Sequence, residues 1–519
     1  MQISPEAVLG RYWEPRTYYS STSRFTWSFF FSSENPQKLH SPRYHHMARS
    51  RTFIRPNTPL VPGPVKLSPL DQFTNRVYTP LLLLFKIDAS VQRDIICSDL
   101  QIGLSSLIND VPFIAGNVVL EDEETGNLQI DIPDDAGVMF SVREMSDPTK
   151  RPVLDFEELK KAAFSSSLLD PSELSPLHFA PEPVAPVLAV QANFIRGGLI
   201  LAVFIHHSAA DAIGLLTLSK RWSRLVSAEV ASCAIHGSES FPNEALDRSV
   251  LVPDTGTWRR LYDFPGFVKA RKEIQDIEHK EKNNEFVEQP AALTIAYWYV
   301  SPSGLQALEE IAKPTDKTGR SFTQSSVLTA LIWQHCTRAQ RLDKHGVETV
   351  SIWVRCDIRG RLDPPLHPQF IGNAVIHCRA ETSLADFDSA KPDALYRIAA
   401  KINDSIEWYS SDNIWDLLAA MSACPRFGEA EPTVDEFSES NFKITNMSVA
   451  SLNDSQWGSR MGTPCAIRFP GIFVLDGQSV VFPRLPDGGI EFSTHLTVEV
   501  LQRLKADPVF TKHVQFRCS

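Results

Sequence analysis

The stretch on which the fold turns is Phe204-Ile205-His206-His207-Ser208-Ala209-Ala210-Asp211. Just upstream, Leu199-Ile200-Leu201-Ala202-Val203 is an apolar run of strand length, and it follows Gly197-Gly198, a pair suited to a tight hairpin turn. Leu188 to Ile195 is then its partner strand. Beyond Asp211 the period changes: Ile213, Leu216, Trp222 and Leu225 fall near helical spacing, with Lys220, Arg221 and Arg224 among them. Two histidines and an aspartate therefore sit where a buried strand meets a helix, and such rigid elements hold side chains still. An imidazole titrates near neutral pH, so it can take a proton from a hydroxyl or an amine and later return it. The aspartate lies across the strand-to-helix turn, better placed to brace that turn against a distant arginine than to touch the same ring. A lone histidine here would read as a polar residue at a strand end. His-His-x-x-x-Asp, with what the far half of the chain carries, reverses that reading.

With 519 residues the chain exceeds one ordinary core, so two domains are expected. A net charge of −11 argues against non-specific binding to nucleic acid. The eight cysteines include no Cys-x-x-Cys pair, which suits reduced intracellular thiols rather than a disulfide frame or a zinc site. The longest apolar runs, Leu81 to Phe85 and Leu199 to Ile205, are too short to span a bilayer. No P-loop, dinucleotide fingerprint, Gly-x-Ser-x-Gly elbow or His-Glu-x-x-His helix is present, which removes several enzyme classes.

Residues 1 to about 50 are rich in Ser, Arg and aromatics and poor in acids. They read as part of a poorly ordered extension over 1–58, with a targeting segment, or a working start at Met47, as alternatives. Order is expected from near Pro59, with a strand at Leu81 to Ile87 and a helix through Leu100, Leu104 and Leu107 that Pro112 ends. Val118 to Ile132 reads as a hairpin turning at Thr125-Gly126-Asn127. The N-terminal domain is placed at 59–225, a crossover segment at 226–290 and the C-terminal domain at 291–519. In the crossover, Lys269 to Lys282 is a mixed-charge run read as a solvated helix face. The second half restarts with a strand at Leu293 to Val300, a helix opened by Ser301-Pro302, and another capped by Thr323. Ser351 to Val354 is a further strand, Asp487-Gly488-Gly489 a hairpin turn, and Val498 to Leu504 a last helix.

Two further constellations stand out. Asp357-Ile358-Arg359-Gly360-Arg361 follows a strand and precedes Phe370-Ile371-Gly372-Asn373. On an extended segment both arginines point one way, and one of them could pair with Asp211 across the domain interface. Later, Thr445-Asn446-Met447 leads to Gln456-Trp457-Gly458-Ser459-Arg460-Met461-Gly462-Thr463-Pro464, a shaped loop by its glycines and proline. Trp457 is either core packing or a wall of a substrate channel, and alone it favours core.

These pieces, in this order, resemble the BAHD acyltransferases, and within them the fungal branch, over roughly residue 59 to the C-terminus. His206-His207-Ser208-Ala209-Ala210-Asp211 matches the family's HHxxxD, and Asp357 to Arg361, Gly372-Asn373 and the loop at Trp457 match later motifs. The segments Leu67 to Gln72, Val111 to Asn117 and Ser325 to His335 also look like family stretches. The resemblance implies an α/β fold of two similar domains, each a mixed sheet with flanking helices, as in chloramphenicol acetyltransferase, with a channel between them. It implies acyl-CoA, acetyl-CoA by expectation, as co-substrate, no permanently bound cofactor and no metal. The acceptor would be a small-molecule alcohol, or an amine, of secondary metabolism. His207 would be the catalytic base, Asp211 and Arg359 a structural pair, and His206, Thr445, Asn446, Trp457 and Gly458 would line the channel or bind substrate. A cytoplasmic monomer is expected.

Two departures from the pattern are visible. Ala212 stands where the family has Gly after the aspartate. In the late loop the family's DFGWG aspartate falls on Gln456, which could keep a hydrogen bond in a supporting role but not a charge pair; a rival alignment puts Asp454 there. Two other readings follow from the same residues: a condensation-type enzyme using a carrier-protein thioester, and a non-catalytic homologue that binds a metabolite.

Overall fold

In the computed structural model the described residues are 49–519, other than 147–153, 180, 231–240, 270–291, 314–318, 390, 392, 425–429, 433–439 and 471–474. Apart from Lys269, the mixed-charge run to Lys282 lies outside them, as do residues 1–48.

The hairpin at the centre of the first half forms as its composition dictates. Leu188–Ile195 and Gly198–His206 pair antiparallel, from Ile195 opposite Gly198 to Leu188 opposite Ile205. Every residue of both strands is buried, which explains their largely apolar composition, and two polar exceptions, Gln191 and Asn193, bond each other at 2.8 Å. The turn is Arg196-Gly197, with Gly197 at φ +71°, in the left-handed region that suits a residue without Cβ. Gly198 is needed for closeness: a Cβ there would lie 2.8 Å from the Phe85 carbonyl and 2.6 Å from the Phe156 ring. This hairpin sits inside a six-stranded sheet in the order 49–54, 138–144, 188–195, 198–206, 78–86, 466–468. Strand Arg49–Ile54 falls in the stretch expected to be extension, and it pairs with Val138–Glu144. The last strand, Ala466–Arg468, comes from the far half of the chain and pairs antiparallel with Tyr78–Lys86. Helices Arg93–Asp110 and Ala212–Val230 pack against each other, tied by the Trp222 indole donating to the Leu100 carbonyl at 3.1 Å.

The second half builds a seven-stranded mixed sheet in the order 375–383, 349–357, 441–446, 478–481, 490–497, 293–300, 515–518. Helix Pro302–Ile311 starts at Ser301, whose side chain accepts from Gly304 N, and Gln324–Gln340 starts at Thr323, which accepts from Ser326 N. One face of this sheet is apolar, carrying Ile352, Phe442 and Trp298, and packs with those helices into a second core. The opposite face alternates polar residues. Arg355 lies directly across from His377, and Trp353 lies across from Lys443, so Thr445 shares that face. A four-stranded sheet in the first half contains the expected hairpin as Asn117–Leu120 and Leu128–Ile132. Helix Arg93–Asp110 ends just before Pro112, as its proline requires. No helix among the described residues is long and apolar enough to cross a membrane.

Candidate active site

His206 and His207 leave the strand on opposite sides, as successive strand residues must. His206 points inward and is 2% exposed. Its Nδ1 accepts from Ser208 N at 3.2 Å, and its ring meets Tyr78 edge-on at 5.6 Å. Burial pushes it down to about 3, helped by His207 and Arg76. It is therefore a neutral packing residue, and the expectation that it lines a channel is corrected by its direction. His207 points the other way and is only partly buried. Its N–H donates to the Val77 carbonyl at 2.8 Å, and its carbonyl accepts from Asn373 Nδ2 at 2.7 Å. Its Nδ1 lies 3.0 Å from Thr74 Oγ1.

Asp211 turns away from that ring. Both its oxygens lie 3.0 Å from Arg359 Nη2, and they also accept from Gly214 N at 2.7 Å and Ala374 N at 2.9 Å. The pair is 2% and 4% exposed respectively, with Arg359 further bound to the Phe370 and Gly372 carbonyls and to Asp357. Burial works against the Arg359 charge, yet Asp211 and Asp357 more than offset it, and the guanidinium is held charged. Arg359 and Arg361 do not point the same way, because the strand ends at Asp357 and the chain turns; Arg361 is exposed.

A second buried hub lies beside the first. Asp71, fully buried, accepts from Ser68 N and Oγ, from Arg248 Nη1 at 2.7 Å, and from Asn373 N at 2.9 Å and Nδ2 at 2.8 Å. Arg248 also donates to the Ala209 carbonyl at 2.5 Å. The backbone of the His-His-x-x-x-Asp turn is thus gripped by three distant segments. The sequence reading singled out neither Asp71 nor Arg248 for a role, since nothing local reveals a partner 177 positions away.

Facing His207 from the second half are Arg355 and His377. Arg355 lies close enough for its charge to lower both imidazoles, and burial takes His377 down to about 3. These residues were passed over as well. The signal was present in the alternation of Trp353, Arg355 and Asp357 against Val375, His377 and Arg379. Thr445 is half-buried on the same face. Asn446 ties the strand end down instead, donating to Ser325 Oγ at 2.8 Å and accepting from Ser448 N at 3.0 Å.

The late loop is elsewhere. Trp457 is 0% exposed, in edge contact with Trp222 at 5.2 Å and Phe85 at 5.7 Å. It is core packing under the first sheet, so its expected place on a channel wall is corrected. Gly458, at φ +79°, serves the turn, its N–H donating to Ser227 Oγ at 2.9 Å. That gives it a structural post rather than a substrate contact. The Gln456 side chain is exposed beside a surface groove of about 290 Å³ shared with Lys220, Arg224 and Asp454, and its carbonyl accepts from Ser227 Oγ. The expected supporting role of Gln456 thus falls to its backbone. Among the described residues no group of three or more His, Cys, Asp or Glu is placed to hold a metal ion.

Comparison with known proteins decides the family, because the model of the Transferase family matches residues 47–511. The chain belongs to the Transferase family, the BAHD acyltransferases. It is an acyltransferase with the α/β architecture expected of that family. Acyltransferase easC of Emericella nidulans is 26% identical over 482 residues, covering 90% of this chain and 98% of its own. Trichothecene 3-O-acetyltransferase TRI101 of Fusarium sporotrichioides is 25% identical over 465 residues, covering 85% of this chain and 94% of its own. The crystal structure of F. sporotrichioides TRI101 with coenzyme A and T-2 superposes with a TM-score of 0.72 at 24% identity, over 88% of this chain and 99% of that one.

Proposed function

We propose that this BAHD acyltransferase moves an acyl group, acetyl in the first instance, from acyl-CoA directly onto a hydroxyl of a small secondary metabolite, with His207 as general base. The observation that carries the reading is the state of His207. It is partly exposed, fixed through its backbone on both sides, and its carboxylate neighbour is engaged with Arg359 instead. Burial lowers its affinity for protons, so at neutral pH it presents a lone pair.

In the reaction His207 Nε2 takes the hydroxyl proton as the acceptor oxygen attacks the thioester carbonyl carbon. The tetrahedral adduct collapses with cleavage of the C–S bond, and the imidazolium returns its proton to the CoA thiolate. The ring ends as it began. Asp211 and Arg359 hold the geometry of the turn and touch no reacting atom. Arg355, His377 and Thr445 form the facing wall of a channel between the two halves, bounded by 59–225 on one side and 291–519 on the other. Relatives named for O-acetylation, and a related structure holding coenzyme A with a trichothecene, support an alcohol as acceptor and CoA as carrier. The same reading places the protein in the cytoplasm as a monomer, in keeping with seven free cysteines among the described residues.

The test is thiol release from acetyl-CoA across a panel of small alcohols and amines, wild type beside His207→Ala. An acceptor-dependent rate that falls by at least ~10²-fold in the variant is expected. A variant that keeps the wild-type rate with the same acceptor refutes the assignment of the base.

A further inference from the structure

With Asp211 engaged elsewhere, the His207 ring takes its polar partners from its own backbone, Asn373 and Thr74. We infer that Thr74 is a positioning residue that accepts the Nδ1 proton of the base and so favours its Nδ1–H tautomer; the inference rests on His207 being the base. Thr74 Oγ1 lies 3.0 Å from His207 Nδ1. A neutral imidazole carries one N–H and one lone pair. A hydroxyl can donate or accept, so the contact alone selects neither tautomer, and the form competent as base is the one with its lone pair on Nε2. The ring proton then sits on Nδ1 and is donated to Thr74 Oγ1. When Nε2 takes the acceptor's proton, the ring becomes a cation and its bond to Thr74 becomes charge-assisted and stronger. That gain arises as the reaction proceeds and not in the resting enzyme, so it favours turnover over binding. When the proton passes to the thiolate, the Nδ1–H tautomer is restored without rotation of the ring.

The placement of Thr74 is over-determined. Thr74 lies two residues past the short helix Pro69–Gln72, whose first turn is locked by the Ser68–Asp71 capping box. Asp71 in turn binds Asn373, and the same Asn373 Nδ2 holds the His207 carbonyl. Val77 holds the His207 N–H. Segment 68–77 therefore reaches His207 three ways: directly at the ring, directly at the amide, and through Asn373 at the carbonyl. A hydroxyl at position 74 is fixed against the imidazole by the elements that fix the imidazole itself.

The full-length protein is compared as wild type, Thr74→Val, Thr74→Ser and His207→Ala. Nitrogen-15 chemical shifts of labelled histidine, assigned to His207 by the peaks that His207→Ala removes, report the tautomer with no acceptor present. Wild type and Thr74→Ser are expected to show protonated Nδ1 and unprotonated Nε2, and Thr74→Val a mixture or the reverse. With acetyl-CoA and the best alcohol of the panel, kcat of Thr74→Val should fall about tenfold, the KM for acetyl-CoA staying within about twofold, and Thr74→Ser should recover the rate. An Nε2–H tautomer in wild type, or a Thr74→Ser as impaired as Thr74→Val, overturns the inference. So does an undiminished Thr74→Val beside an inactive His207→Ala, which leaves the base assignment standing. A His207→Ala that keeps full rate removes the base and the role of Thr74 with it.

Discussion

At neutral pH the His207 imidazole is unprotonated chiefly because burial disfavours its cation, with Arg355 adding to that and Asp211 acting against it. The consequence for activity has a definite sign. The competent form is the neutral ring, and a value lowered from the ordinary 6.5 keeps it neutral further into acid. The acidic limb of kcat/KM should therefore lie below pH 6.5, with activity full at pH 7 and lost as pH falls through the lowered value. Replacing Arg355 by Met withdraws one contribution that lowers the imidazole, so the limb should move toward higher pH. A pH–rate profile for wild type and Arg355→Met checks both, and a limb that stays put in the variant would mean that Arg355 does not act on the base. How Asp211 partners could be guessed from its place across a strand-to-helix turn. Which arginine it takes came from the family resemblance, which named Arg359, and not from the local sequence, because that depends on where the strand ends. Chain reversal after Asp357 sends Arg359 inward and leaves Arg361 exposed.

Among the elements, those readable in the sequence were those whose residues agree with one another locally. Leu188–Ile195 and Gly198–His206 are mostly apolar with a glycine at the turn, and Pro302–Ile311 and Gln324–Gln340 carry their own N-caps. The loop 456–464 was harder, since glycines and proline mark a turn without saying what it packs on. Its tryptophan is pinned under the first sheet because Ser227, on helix Ala212–Val230, bonds the loop backbone on both sides of Trp457. The polar face of the second sheet was missed for the opposite reason: its residues obey a period of two, but no motif draws attention to Arg355 or His377. If Trp457 is core rather than channel, Trp457→Ala should cost about 3–5 kcal/mol of stability. The KM for acetyl-CoA of the folded fraction should stay unchanged. Denaturant unfolding and steady-state kinetics on one preparation separate the two effects, and a large rise in KM without loss of stability would return Trp457 to the substrate path.

On the scale of the whole molecule the two halves are interlocked rather than merely docked. Strand Ala466–Arg468, from the second half, completes the edge of the first sheet. Its Arg468, 2% exposed, donates to the Ala163 and Phe164 carbonyls of the first half and to Glu491 on a strand of the second, with its guanidinium 4.3 Å from the Tyr297 ring. Asp71, Arg248 and Asn373 join three further segments at the site. Such sharing leaves the first sheet incomplete without the second half, and His207 is useful only while both are in place. The described body should therefore unfold in one cooperative step, with tryptophan fluorescence and far-ultraviolet circular dichroism giving coincident urea midpoints. Arg468→Met should lower that common midpoint through a loss of about 3–5 kcal/mol of stability, since it leaves the Glu491 carboxylate without its buried partner. Separate midpoints for the two probes in the wild type would show that the halves come apart on their own, and the site would then be assembled by docking instead of by folding.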